Sequence, residues 1–200
     1  MWKAGAETRV HVDDPAARRT LSRALVDCLG AFGPKEVVVV CIGSDRSTGD
    51  ALGPLVGSRL EQHRIGRMKV RGTLEHPVHA ANLNELLPEI EAQQRTAIVL
   101  AVDACLGRAE NVGSVCVKPG PLKPGSGVNK NLPEVGLFHI VGVVNVGGFM
   151  EYFVLQNTRL SLVMRMADLI AASLADAIAL HLRAAGRTQV AAALDRSSPL

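Results

Sequence analysis

The chain has 200 residues, the length of one domain, and is 48% hydrophobic and 20% charged. This composition supports a sizeable buried core and excludes a disordered tail. The formal net charge of +3 comes from 22 basic and 19 acidic residues, and aromatic residues make up only 3%. Such an even balance, with few rings for stacking on bases, argues against a nucleic-acid-binding module.

Helical patterns and apolar runs alternate along the chain after a flexible tail over residues 1–14. Asp14 followed by Pro15 is typical of a helix start, and the run EVVVVCI is typical of a strand buried on both faces. The predicted strands cover residues 36–42, 68–74, 96–104, 112–118 and 138–145. The predicted helices cover residues 15–32, 51–63, 80–94 and 149–185, the last as one helix or as two helices broken near Asn157.

The alternation of apolar strands with amphipathic helices predicts the fold class. It indicates an α/β protein, a three-layer α/β/α sandwich around a mostly parallel sheet. One domain over residues 1–200 is expected, with flexible tails over 1–14 and from about 186 to 200. No stretch approaches 18 uninterrupted apolar residues, and the N-terminus lacks a hydrophobic signal core. We therefore expect a cytoplasmic protein that binds no membrane.

The spacing of the four cysteines gives no sign of a functional role. They form no C-x-x-C pair, and three of them lie within or beside apolar runs. Free, buried thiols in a reducing compartment are therefore expected.

Two acidic residues stand where two apolar strands end. Asp50 lies at the start of the helix that follows the first apolar strand, and Asp103 closes the strand TAIVLAVDA. Ligands of such sheets bind beyond the carboxyl ends of the strands, so neighbouring strands would bring the two carboxylates together. A helix-capping role would also explain Asp50, and an Asx turn would explain Asp45. Asp103 is harder to explain structurally, because an acid ending an apolar strand is costly without a partner or a function.

Glycine-rich segments of the chain match no nucleotide-binding or serine-hydrolase motif. The loop after the first strand has neither G-x-G-x-x-G nor G-x-x-x-x-G-K-[ST], and G-x-S-x-G is absent. The long loop over 119–136 is a candidate for substrate binding, because loops of this length are often functional. Its backbone N–H groups and one ammonium group would orient a carboxylate or a substrate carbonyl, with Ser126, Gly127, Asn129 and Lys130 as the candidate residues.

Three histidines are expected to have structural roles, in the core or in loops. His139 lies on an apolar strand, where a core histidine with satisfied hydrogen bonds is the common case, and a ligand role is the alternative. His76 and His79 flank Pro77 and are expected to be loop residues.

Three segments carry a resemblance to a known family. GSDRSTGDALGPLVG resembles the first active-site motif of the germination protease of spore-forming bacteria, VDACLGR resembles the second, and KPGSGVNK resembles a third loop of that family. Taken whole, the chain resembles the shorter YyaC-type sporulation proteins more closely. The wider superfamily includes the hydrogenase maturation endopeptidases. This resemblance implies a phosphorylase/hydrolase-like fold.

The resemblance also implies a function. Asp50 and Asp103 fall on the two carboxylates proposed as catalytic in the germination protease, which implies a sporulation-associated peptidase of aspartic type. Gly43, Ser44 and Asp45 fall in the first motif and become candidates for substrate binding. The implied substrates are peptides or proteins, among them small spore proteins, in the cytoplasm of the sporulating cell or spore.

Two alternatives remain open. In the first, the chain is a metal-binding relative of the hydrogenase maturation endopeptidases. Asp50, Asp103 and His139 would then hold a divalent ion such as nickel or zinc; otherwise no cofactor is expected. In the second, the chain is a non-catalytic sporulation factor that keeps the fold as a binding platform.

The C-terminal region combines an aromatic cluster with an apolar stripe. Phe149, Met150, Tyr152 and Phe153 follow two glycines and predict either the lining of a substrate cleft or a homodimer contact, of which we favour the homodimer. The residues expected to face the sheet recur at helical spacing: Leu160, Val163, Met164, Ala167, Ile170, Ala171, Leu174, Ile178 and Leu182.

Overall fold

The computed structural model describes residues 7–124 and 133–196, with side chains described as far as residue 184. The strands are β1 (Thr8–His11), β2 (Glu36–Cys41), β3 (Met68–Arg71), β4 (Ala97–Gly107), β5 (Ser114–Pro119) and β6 (Phe138–Val146). The helices are α1 (Ala17–Gly30), α2 (Leu52–Gln62), α3 (Leu83–Gln94), α4 (Glu151–Gln156) and α5 (Leu160–Arg196). A 3-10 turn over Ala109–Asn111 precedes β5.

The strands form one sheet in the order β1-β5-β6-β4-β2-β3. β2 is parallel to both β3 and β4, and β4 is parallel to β6. β5 runs antiparallel to β6, and β1 runs antiparallel to β5. The carboxyl ends of β2, β3, β4 and β6 therefore share one edge of the sheet, where ligands of open α/β sheets bind.

Successive side chains of β2 pack alternately in two hydrophobic layers, one on each face of the sheet. Val37 and Val39 pack in the layer that also holds the buried residues of α1, α2 and α5. Val38 and Val40 pack in the opposite layer, which holds the buried residues of α3. A β-branched run without polar interruption can pack in both layers at once, which is why β2 is an interior strand between β4 and β3. The predicted three-layer α/β/α fold class is confirmed.

Both predicted tails differ from the structure. Thr8–His11 lies within the predicted N-terminal tail yet forms edge strand β1, which pairs with β5 over four residues. The side chain of Val10 from this strand is buried in the core, and that burial favours pairing over a flexible tail. At the other end, α5 continues to Arg196, past the predicted start of a tail near Gly186.

The C-terminal region forms two helices, α4 and α5, separated at residues 157–159, as one of the two alternatives predicted. Most of the predicted stripe of α5 is buried, but Leu160 and Met164 are exposed, and that part of the prediction is wrong. Met166 and Ala177 are buried in the core instead, because the buried face follows a slightly different angle around the helix. No helix among the described residues is long and apolar enough to span a membrane.

Candidate active site

The loop between β2 and α2 carries Asp50 to the end of β4. The N–H of Ile42 donates to the carbonyl of Val102 across 2.7 Å, and the N–H of Gly43 donates to the carbonyl of Val78 across 2.8 Å. The start of the loop is thereby held between the residue that precedes Asp103 and the segment that follows β3. Asp50 and Asp103 thus belong to neighbouring parallel strand ends.

Gly43 allows the loop to fold back on itself. Its φ is +143°, and a Cβ atom at this position would lie 2.0 Å from the carbonyl oxygen of Asp50. The same carbonyl accepts the N–H of Ser44 at 3.2 Å. Only glycine fits this close approach, so the backbone of Asp50 is fixed by the first residues of its own loop.

Asp103 occupies the sheet face covered by α3. It continues the alternation of Val99 and Ala101, which are buried in the layer that contains α3. One carboxyl oxygen, Oδ1, accepts the N–H of Ala104 at 2.8 Å. The side chain keeps part of its surface exposed although protein atoms surround it on most sides. The carboxyl group is therefore reachable but poorly solvated.

The two carboxyl groups interact electrostatically. Burial raises the pKa of Asp103 well above its usual value, and the charge of Asp50 raises it further. Burial also raises the pKa of Asp50, but a hydrogen bond from the Ser44 backbone N–H and the charge of His79 oppose that rise. Two carboxylates that share a poorly solvated site cannot both ionise easily, so one keeps its proton. The environment favours the proton on Asp103 and the charge on Asp50.

His79 is a site residue, whereas its sequence context predicts an ordinary loop residue. Val78 extends the line of β3 and bridges to Ile42, and this places His79 beside the Asp50 loop. Its Nδ1 accepts the N–H of Ala81 at 3.3 Å. The signal that identifies His79 is its position directly after a strand extension at the carboxyl edge.

Helix α4 lies beside the loop that carries Asp50. The N–H of Gly49 donates to the carbonyl of Leu155 at 2.9 Å, and Asn145 Nδ2 donates to the carbonyl of Val154 at 3.3 Å and to Thr158 Oγ1 at 3.2 Å. The helix is therefore tied to the Asp50 loop on one side and to the end of β6 on the other.

The remaining predicted binding residues are distributed around the same loop or lie beyond the described chain. Gly43 uses its N–H for Val78, Ser44 Oγ accepts the N–H of Arg46 at 3.2 Å, and Asp45 is exposed. Their contacts with a substrate stay predictions. The other candidates lie outside the described residues: Ser126, Gly127, Asn129 and Lys130.

His139 does not join the two aspartates. Its Nδ1 contacts the carbonyl of Gly120 at 2.8 Å, and the charged groups that act on its pKa are Lys118 and Glu7. Burial lowers the pKa of His139, as for a core histidine with a satisfied hydrogen bond. Residues 7–124 and 133–184 contain no group of three or more His, Cys, Asp or Glu side chains suited to a metal ion, so the donor set of Asp50, Asp103 and His139 is not assembled.

The cysteines fit the prediction of free thiols. Cys28, Cys41 and Cys116 are buried, Cys105 is partly buried, and none of the four is in a disulfide. Burial raises the pKa of the Cys105 thiol to about 11, which keeps it protonated at neutral pH.

Comparison with known proteins identifies the family. The model of DUF1256, described as a family of proteins of unknown function, matches residues 9–173. The chain belongs to the DUF1256 family. A curated relative, the uncharacterized protein YyaC of Bacillus subtilis (strain 168), is 55% identical over 161 residues, which cover 80% of this DUF1256 chain and 78% of YyaC. The resemblance to YyaC-type proteins is confirmed.

A solved structure shares the fold of this DUF1256 chain. It is the crystal structure of a [NiFe] hydrogenase maturation protease, HycI, from Thermococcus kodakarensis KOD1. The TM-score is 0.52 at 16% sequence identity, and the match covers 76% of this chain and 98% of HycI. The phosphorylase/hydrolase-like fold expected from the resemblance is thus confirmed, and similarity at this identity shows the fold alone.

Proposed function

We propose that this chain is a peptidase in which Asp50 and Asp103 act as a general base and a general acid. The observation that carries the proposal is the pairing of two carboxyl groups at neighbouring strand ends, where the charge of Asp50 raises the pKa of Asp103. Perturbed pairs of this kind are characteristic of catalytic sites. The fold shared with a maturation protease supports the proposal.

The two carboxyl groups have different roles in the proposed reaction. Ionised Asp50 takes a proton from a water molecule, whose oxygen attacks the carbonyl carbon of the scissile peptide bond. Protonated Asp103 donates its proton to the carbonyl oxygen and so stabilises the tetrahedral intermediate. When that intermediate collapses, the C–N bond breaks, the proton held by Asp50 passes to the leaving amine, and Asp103 recovers its own proton. Each carboxyl returns to its starting state.

His79 and the Ser44 backbone N–H keep Asp50 in the charged form that this mechanism needs. Both lower the pKa of Asp50 against the effect of burial. In this proposal they are positioning groups, which act on the reaction through Asp50. We infer that the protein works in the cytoplasm of sporulating cells or spores and that small spore proteins are among its substrates.

Cleavage assays with matched variants test this function. Purified protein is incubated with a small acid-soluble spore protein and, separately, with a reduced and alkylated unfolded protein, and products are identified by mass spectrometry. Asp50→Asn and Asp103→Asn are each expected to lower the cleavage rate by about 100-fold or more. Glu110→Gln, which removes an exposed carboxylate just beyond β4, serves as the control and is expected to keep the wild-type rate.

Two results would contradict the proposal. One is cleavage by Asp50→Asn or Asp103→Asn at the wild-type rate. The other is the absence of cleavage of both substrates by the wild-type chain, which would favour the alternative of a non-catalytic factor.

A further inference from the structure

A hydrophobic groove lies between the end of β6 and helix α4. Its volume is about 570 Å³, and its lining includes Asn145, Gly147, Phe149, Met150 and Phe153. This volume is within the range of pockets that bind small molecules or single side chains with their neighbouring backbone. The mechanism proposed above uses none of these residues.

The groove is bordered by large apolar side chains that face solvent. Phe149 is 86% exposed, Tyr152 is 62% exposed, and Met150 and Phe153 are each 53% exposed. The rings of Tyr152 and Phe153 stand edge to face with their centroids 5.8 Å apart. Single exposed apolar residues are ordinary, but a contiguous group of this kind marks a binding surface.

Backbone hydrogen bonds connect the groove to the chain segments that carry both aspartates. The N–H of Gly147 donates to the carbonyl of Gly107 at 2.8 Å, at the end of the strand that carries Asp103. The N–H of Gly49, the residue before Asp50, donates to the carbonyl of Leu155 in α4. The groove is therefore attached to the loop that carries Asp50 and to the end of β4, the strand that contains Asp103.

The area of the exposed rings fits a short peptide better than a second copy of the chain. Buried aromatic side chains cover roughly 200 Å² each, so the exposed parts of Phe149, Tyr152 and Phe153 offer about 400 Å². A stable interface between proteins needs about 800 Å² from each partner. The cluster therefore supplies about half of a dimer contact, but enough surface for one or two large side chains.

One polar side chain in the groove can accept a hydrogen bond from a peptide backbone. Asn157 lines the groove, and its Nδ2 donates to the carbonyl of Phe153 at 2.8 Å. Its Oδ1 accepts no hydrogen bond from the described residues. An extended peptide that places an apolar side chain against Phe153 has backbone N–H groups available for this oxygen.

From this arrangement we propose that the groove is the specificity subsite for a large apolar side chain of a polypeptide substrate. This assignment rests on the peptidase function proposed above and names its substrate class: unfolded or extended polypeptide with a Phe, Leu or Met residue close to the scissile bond. The aromatic cluster, for which the sequence favoured a homodimer contact, then lines the substrate cleft.

Binding of a small amide tests the subsite without requiring catalysis. The probe is N-acetyl-L-phenylalanine N-methylamide, titrated into ¹⁵N-labelled full-length protein, with N-acetyl-L-serine N-methylamide as the matched polar ligand. Saturable shifts of backbone signals in residues 147–157 are expected for the phenylalanine ligand only. Phe153→Ser is expected to weaken binding about tenfold. Leu180→Ser, which removes an exposed leucine of α5, serves as the control and is expected to leave binding unchanged.

The inactive variant Asp103→Asn separates this proposal from the peptidase function. It is expected to bind the phenylalanine amide as the wild type does while its cleavage rate is lowered by about 100-fold or more. In a peptide-library digest by the wild type, apolar residues are expected at one fixed distance from the cleaved bond, and Phe153→Ser is expected to remove that preference. Amide binding without any cleavage would contradict the peptidase function but leave the apolar subsite supported.

Two outcomes would overturn the subsite. One is equal response to the phenylalanine and serine amides, or no response in residues 147–157. The other is a particle of twice the 21.2 kDa chain mass in light scattering that returns to monomer in Phe153→Ser, because a second copy would then cover the groove.

Discussion

Replacing Gly43 with alanine is expected to damage the candidate active site more than the same change at Gly148. The two glycines have nearly equal φ, +143° and +140°, so both substitutions force alanine into an unfavourable backbone region at about 1–3 kcal/mol. At Gly148 the new Cβ has open space within 4 Å, whereas at Gly43 it lies 2.0 Å from the carbonyl oxygen of Asp50. Overpacking against a fixed backbone adds about 1–3 kcal/mol at Gly43 alone.

Urea unfolding followed by circular dichroism measures the difference. With a denaturant slope of about 2 kcal/mol per molar, an extra 2 kcal/mol places the midpoint of Gly43→Ala about 1 M below that of Gly148→Ala. Any residual folded Gly43→Ala is expected to have a displaced Asp50 and a cleavage rate lowered by about 100-fold. Equal midpoints for the two variants would refute the close approach of Gly43 to Asp50.

Three further variants test the packing and the electrostatics. Because the pKa of Asp103 is raised in the folded state, the wild type loses stability as pH rises above about 4, and Asp103→Asn escapes this loss. Urea unfolding at a series of pH values is expected to show a growing stability advantage of Asp103→Asn from pH 4 towards neutrality, and a constant difference would contradict the raised pKa. Phe138→Ala removes a fully buried ring that stacks on Phe32 with centroids 6.1 Å apart, and is expected to lower the free energy of unfolding by about 3–5 kcal/mol. Thr158→Val removes an acceptor of Asn145 Nδ2 and is expected to cost about 1 kcal/mol in thermal unfolding; no change would mean that this bond does not hold α4 in place.

The sequence predicts best those elements whose apolar residues in the sequence are also the residues that the fold buries. The run from Val37 to Cys41 is apolar throughout, and β2 is buried on both faces as expected. Strand β1 has no such pattern, because an edge strand buries only one side chain in four, Val10. Its pairing with β5 depends on contacts about 100 residues away in the chain, which local sequence patterns do not contain.

The candidate site was predictable where it follows from topology. Asp50 follows strand β2 and Asp103 follows the buried apolar part of β4, and neighbouring parallel strands bring such residues to one edge. His79 follows no strand of its own, because Val78 joins the sheet only through a single bridge to Ile42. The exposure of Leu160 was also beyond prediction, since a hydrophobic periodicity does not fix where the buried face of a helix begins.

In the proposed site, Asp103 holds the proton of the carboxyl pair and Asp50 carries its charge. Titration of the carboxyl ¹³C signals by NMR, in the wild type and in Asp50→Asn, measures this division. We expect Asp103 of the wild type to titrate well above the usual range for aspartate and to titrate at lower pH in Asp50→Asn, because the neighbouring charge is gone. An ordinary pKa for Asp103 in the wild type, or an identical titration in the two proteins, would contradict the account.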